Sequence, residues 1–177
     1  MARGAAHGRI AALVALLAPG GAPAKQEGAA CELARLCAAG PHQPNRQNQD
    51  RVRAAGGVAA LVQLLALGGS DVVLHAALCT LDSLCWDNGQ NQDSVRECGG
   101  AAALVGLLAP GGAPYLQAQA AGVLRNLCWE NDQNINSFAQ CGGVAALMRL
   151  LAPGRPPAVQ EQAAGALCIG YRVGRVG

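Results

Sequence analysis

The chain repeats itself every 43 residues, and that period constrains its fold more than any single motif. The string GGVAALVQLLALGG begins at Gly56, GGAAALVGLLAPGG at Gly99 and GGVAALMRLLAPGR at Gly142. TLDSLCW ends at Trp86 and VLRNLCW at Trp129, while Asn48, Asn91 and Asn134 each open a short mixed segment in the same register. Residues 56–98 and 99–141 are identical at 21 of 43 positions without a gap. A partial copy, RIAALVALLAPGGAP from Arg9, aligns at an offset of 48, and the extra residues fall in AAGPHQPNRQNQ, where a loop absorbs them.

Each period holds three helical patterns divided by breakers. Val58, Leu61, Val62 and Leu65 recur at i, i+3, i+4 and i+7. Leu116, Ala120, Val123, Leu124 and Leu127 continue one apolar stripe for three turns. Val52, Val95 and Phe138 occupy equivalent places in the short segment. Gly56-Gly57, Gly99-Gly100 and Gly142-Gly143 are expected to close that segment, because glycine accepts the left-handed conformation after a helix. Pro114 and Pro157 suit a first helical turn, where a missing N–H costs nothing. No stretch alternates with period two long enough to suggest a sheet.

Composition agrees. Hydrophobic residues make up 51% and charged residues 14%, so the chain can build a core. Aromatics are only 3%, which leaves packing to Ala, Leu, Val and Cys and favours close-set helices. The net charge of +2 comes from residues scattered singly, which argues against nucleic acid as a partner.

A three-helix unit reading N-x-x-x-V/F-x-x-x-G-G-V/A-A-A-L-V-x-L-L, then a loop, then A-A-x-x-L-x-N-L resembles the armadillo repeat. The resemblance runs from Arg9 to about Ile169. It implies an all-α fold: a right-handed α-solenoid of about four stacked armadillo repeats, the first and last incomplete. The single domain 1–177 then divides at approximately 8–55, 56–98, 99–141 and 142–177. HEAT repeats, with two main helices, match less well. The first copy lacks the short helix and the last stops at GYRVGRVG, so apolar ends are expected, and with them self-association or a missing flanking segment.

The resemblance also implies function: a non-catalytic module in which the third helices line a concave groove for a protein or extended peptide. The position that holds asparagine in peptide-gripping members reads Arg35, Ser83, Asn126 and Ile169. One turn earlier, where nuclear-import adaptors often carry tryptophan, stand Cys31, Cys79, Gly122 and Gly165. The candidate groove residues are therefore Asn126, Ser83, Arg35, Gln119, Gly122, Arg125, Glu130, Cys79 and Gln162, with Asn126 foremost because its amide both donates and accepts. The groove charges Glu27, Arg35, Asp82, Arg125 and Glu130 are mixed in sign, unlike an acidic trough for lysines. An import-type adaptor and the substrate-recognition part of a ubiquitin ligase remain the alternatives; no Cys/His RING spacing is present.

Several features have a plain reading beside a sharper one. Gly122 and Gly165, inside helices, mark tight packing or a pocket. Trp86 and Trp129 read as core at repeat junctions, though tryptophan also favours binding sites. The eight cysteines mostly recur at repeat-equivalent positions and read as buried small hydrophobes in a reducing compartment, cytoplasm or nucleus, rather than as a zinc site or disulfide framework. Arg3, Arg9, IAALVALLA and Ala22–Ala24 imitate a secretory signal, but the same apolar run recurs inside the chain. No run reaches the ~20 apolar residues of a membrane span. His7, His42 and His75 lie far apart, and no nucleotide-binding, serine-hydrolase or zinc-protease motif is present, so no cofactor, metal or catalytic residue is expected.

Overall fold

The computed structural model describes residues 2–40 and 43–173, and side chains from residue 8 to 38 and from 45 to 169. Eleven helices carry the described chain. The first two are α1 (Ala2–Ala15) and α2 (Pro23–Cys37). Three triplets follow, each a short, a middle and a long helix: α3 (Arg46–Ala54), α4 (Gly57–Leu67) and α5 (Asp71–Cys85); α6 (Gly89–Glu97), α7 (Gly100–Leu107) and α8 (Pro114–Cys128); α9 (Asp132–Gln140), α10 (Gly143–Leu150) and α11 (Pro157–Val173). The all-α expectation holds with one local exception. Ala38–Gly40 (β1) pairs antiparallel with Gln43–Pro44 (β2) in the stretch that takes up the extra five residues, so part of the expected loop is a short strand pair. His42 lies outside the described residues, as does the side chain of His7.

The long helices stack in series, α2 on α5, α5 on α8 and α8 on α11. Small side chains let them approach: Ala29, Ala30, Ala76, Ala77, Ala120, Ala121 and Ala163 are all buried. The fit is close enough for Thr80 Oγ1 of α5 to donate to the Ala30 carbonyl of α2 at 2.7 Å. Leu116, Ala120, Leu124 and Leu127 all face the core, as their stripe required.

The breakers act as expected. Pro114 opens α8 and Pro157 opens α11. Gly56, Gly99 and Gly142 take φ of +80°, +80° and +78° and turn the chain between short and middle helices. The second glycine of each pair does a different job. A Cβ on Gly57 would stand 2.9 Å from the Val52 carbonyl oxygen, one on Gly100 2.8 Å from that of Val95, and one on Gly143 inside the Phe138 ring.

The periodic asparagines also prove structural. Asn45, Asn88 and Asn131 cap the short helices by accepting from the backbone N–H of Asn48, Asn91 and Asn134, each at 3.1 Å. The amides of Asn48, Asn91 and Asn134 in turn donate to the carbonyls of Leu36, Leu84 and Leu127 at 2.7, 2.8 and 2.9 Å. Each short helix is thereby tied to the end of the long helix before it, where the last turn has carbonyls to satisfy.

Candidate peptide groove

Two adjoining clefts open on the long-helix face. The first, about 480 Å³, is lined by Trp86, Asp87, Arg125, Asn126 and Trp129. The second, about 420 Å³, is lined by His75, Asp82, Tyr115, Ala118, Gln119, Gly122, Arg125, Ala158 and Gln162. Arg125 borders both. The structure thus brings together five of the nine residues singled out from the sequence: Gln119, Gly122, Arg125, Asn126 and Gln162.

The other four do not line these clefts. Arg35 is exposed and paired with Glu32 at 2.8 Å, and Glu32 also holds Arg9. Ser83 donates its hydroxyl to the Cys79 carbonyl at 3.0 Å, within its own helix. Glu130 is exposed, with φ +51° at the turn after α8. Cys79 Sγ lies 3.8 Å from the His75 ring. Burial, then the charge of Asp82, then Cys31 push the Cys79 thiol up, away from a reactive thiolate.

Trp86 and Trp129 correct the core reading: 41% and 47% of their surfaces remain exposed. Each is the C-cap of its long helix, with extended backbone at ψ 115° and 118°. The side chain therefore leaves the buried stripe. The next residues, Asp87 and Glu130, take left-handed φ of 53° and 51° and send the chain into the following short helix. The sequence showed L-C-W ending a helix but not that the cap residue would swing outward.

The groove polar groups are partly engaged with one another. Asn126 Nδ2 donates to Asp82 Oδ1 at 2.8 Å. Burial raises the Asp82 carboxyl, and the Asn126 bond and the Arg125 charge pull it partly back. Asp87 pairs with Arg46 at 2.7 Å. The His75 and Tyr115 rings meet at 5.8 Å between centroids, tilted by 57°.

The mid-helix glycines prove to be openings rather than points of backbone contact. A Cβ on Gly122 would have only Gln162 Oε1 near it, at 3.4 Å, and one on Gly165 only the Arg125 side chain, at 3.7 Å. Gly165 gives Arg125 room to lie from α8 toward α11, and Gly122 gives Gln162 room in the opposite sense.

The cysteine reading holds only in part. Cys37, Cys85 and Cys128 are buried, and burial pushes the Cys37 and Cys128 thiols up to about 12. Cys31, Cys98, Cys141 and Cys168 are exposed. Cys98 and Cys141 recur because each caps a short helix before its Gly-Gly turn, a surface position. All eight are free thiols. Among the described residues no group of three or more His, Cys, Asp or Glu is placed to hold a metal ion, and no helix is long and apolar enough to cross a membrane.

The comparisons agree with the resemblance. Residues 89–129 and 131–168 match the Armadillo/beta-catenin-like repeat, and the fold is that of an armadillo-repeat solenoid. It is similar to an engineered protein of known structure, with 29% identity over 91% of this chain and 62% of the other, and a TM-score of 0.81. A designed armadillo repeat protein solved in complex with the peptide (KR)4 gives 19% identity over 90% and 63% of the two chains, with a TM-score of 0.78. The armadillo-repeats-only protein of Plasmodium falciparum gives 23% over 81% and 60%, with a TM-score of 0.67. The chain thus spans about three fifths of the length of these structures. No curated protein sequence matches it.

Proposed function

We propose that the chain is a protein-interaction module that holds an extended peptide or a partner's extended segment along the face of α5, α8 and α11. The observation that carries this reading is the pair of adjoining clefts, the first lined by two exposed indoles and by an arginine that borders both. Tryptophan and arginine dominate binding hot spots. The designed neighbour solved with (KR)4 supports the fold's capacity for peptides. Binding rather than catalysis is the role, and the free thiols fit the cytoplasm or nucleus.

The import-type alternative is weaker. Its tryptophan position holds Cys79 and Gly122, whereas the tryptophans of this chain sit three residues after Ser83 and Asn126. A random octapeptide library displayed on phage and selected on the immobilised protein tests the groove. Enriched sequences should lose binding to Trp86→Ala and Trp129→Ala variants that melt like the parent. Enrichment indifferent to both changes would remove the clefts as the binding site.

A further inference from the structure

The charges around the two clefts are unequal in one respect. Asp87 is committed to Arg46 and Asp82 to Asn126. Arg125 is exposed and makes no ion pair or hydrogen bond among the described residues, although its charge acts through space on Asp82. Gly165 leaves room for its guanidinium at the boundary between the clefts. An incoming lysine or arginine would meet this cation and find both acidic side chains already bonded. A carboxylate would find five N–H donors in a planar fork.

The first cleft adds the second half of the code. Its walls include Trp86, 41% exposed, whose π face favours another ring in offset or edge-on contact. In an extended peptide, side chains two residues apart point the same way, about 6.6 Å apart at the rise of a strand. Neighbouring subsites on one face are therefore filled by residues i and i+2.

We infer, resting on the groove reading above, that the ligand is an extended peptide with an aromatic side chain on Trp86 and, two residues along, a carboxylate on Arg125. The charge of such a ligand is opposite to that of the (KR)4 peptide with which a designed neighbour was solved.

Fluorescence anisotropy with labelled octapeptides tests it. The probes are Tyr-Ser-Glu-Ser repeated twice, the same peptide with Gln for Glu, the same with Lys for Glu, and (KR)4. The Glu peptide should bind about tenfold more tightly than the Gln peptide, the worth of one charge-assisted bond, and the Lys peptide and (KR)4 more weakly than either. Arg125→Gln should erase the difference between Glu and Gln peptides, and Arg125→Lys should keep part of it. Trp86→Ala should weaken both by a similar factor. Equal or tighter binding of the Lys peptide or (KR)4, or a Glu preference that survives Arg125→Gln, overturns the acidic specificity and leaves the groove standing. Failure of all four peptides, with no groove-dependent enrichment from the library, overturns the groove reading and this inference together.

Discussion

Asn126 was the residue the sequence offered as a ligand grip, and the structure gives its amide a resident acceptor. With Nδ2 on Asp82 Oδ1 at 2.8 Å, the side chain steadies a half-buried carboxylate. Asn126→Ala should therefore lower stability by about 1–2 kcal/mol, because the acceptor is left without its donor; a typical exposed substitution would change it by only about ±0.5 kcal/mol. Urea denaturation of the two proteins measures the difference, and a null result would mean water replaces the amide. Asp82 adds a pH signature. Its carboxyl is raised by burial, so the folded state holds that proton more tightly than the unfolded state does. The group's stabilising effect is then complete below the ordinary carboxylate value of 3.8 and is lost as pH rises through the raised value. Asp82→Asn removes the titration. Paired urea curves across pH should show the variant gaining on the parent through that window and running parallel above it. A constant offset would show that Asp82 titrates as it does in the unfolded chain.

At the scale of the element, glycines of two kinds separate what sequence could tell from what it could not. The Gly-Gly pairs announced a chain reversal after each short helix, and the left-handed φ of Gly56, Gly99 and Gly142 agrees. That the second glycine is demanded by sterics against Val52, Val95 or Phe138 needed the packing. Gly122 left two readings open, because helical periodicity places a residue on a face but does not say how far the neighbouring helix lies. Gly143→Ala should cost about 1–3 kcal/mol, since its Cβ would enter the Phe138 ring. Gly122→Ala should instead raise stability by about 0.5–1 kcal/mol, the helix preference of alanine, with Gln162 shifting slightly. Thermal melts of the pair decide this, and destabilisation by Gly122→Ala would restore the tight-packing reading. Within the same helix Leu124 is 1% exposed, and its stripe was legible from period alone, so Leu124→Ala should cost about 2–5 kcal/mol. The tryptophans were less legible. A cap residue leaves helical geometry, and the 3.6-residue period that located the leucines has no authority there.

Across the whole molecule, a stack of repeats is as cooperative as its junctions, and here the junctions are bridged by buried glutamines. Gln49 donates to the carbonyls of Ser83 at 2.7 Å and Trp86 at 3.2 Å and accepts from Asn88 at 2.9 Å. Gln92 donates to Cys85 at 3.3 Å and Asn126 at 2.9 Å and accepts from Asn131 at 3.2 Å. Both satisfy carbonyls left over where α5 and α8 stop, and both fasten the cap of the next short helix. The equivalent residue in the third triplet is Ile135. The substitution is consistent with α11, which continues to Val173, so that the carbonyl of Ile169, at the place of Asn126, remains inside the helix. Gln92→Ile, borrowing the residue of that last triplet, should leave the part-buried Asn126 carbonyl without its donor, while the Asn131 amide keeps Asp93 at 3.1 Å, at a cost of about 1–3 kcal/mol. More tellingly, it should uncouple α9–α11 from the repeats before them. Hydrogen exchange in the parent should show α8 and α9 opening together, whereas in the variant α9–α11 should exchange at lower free energy than α3–α5. If protection falls evenly along the chain instead, the cohesion of the stack lies in its alanine-lined helix contacts and not in the glutamine bridge.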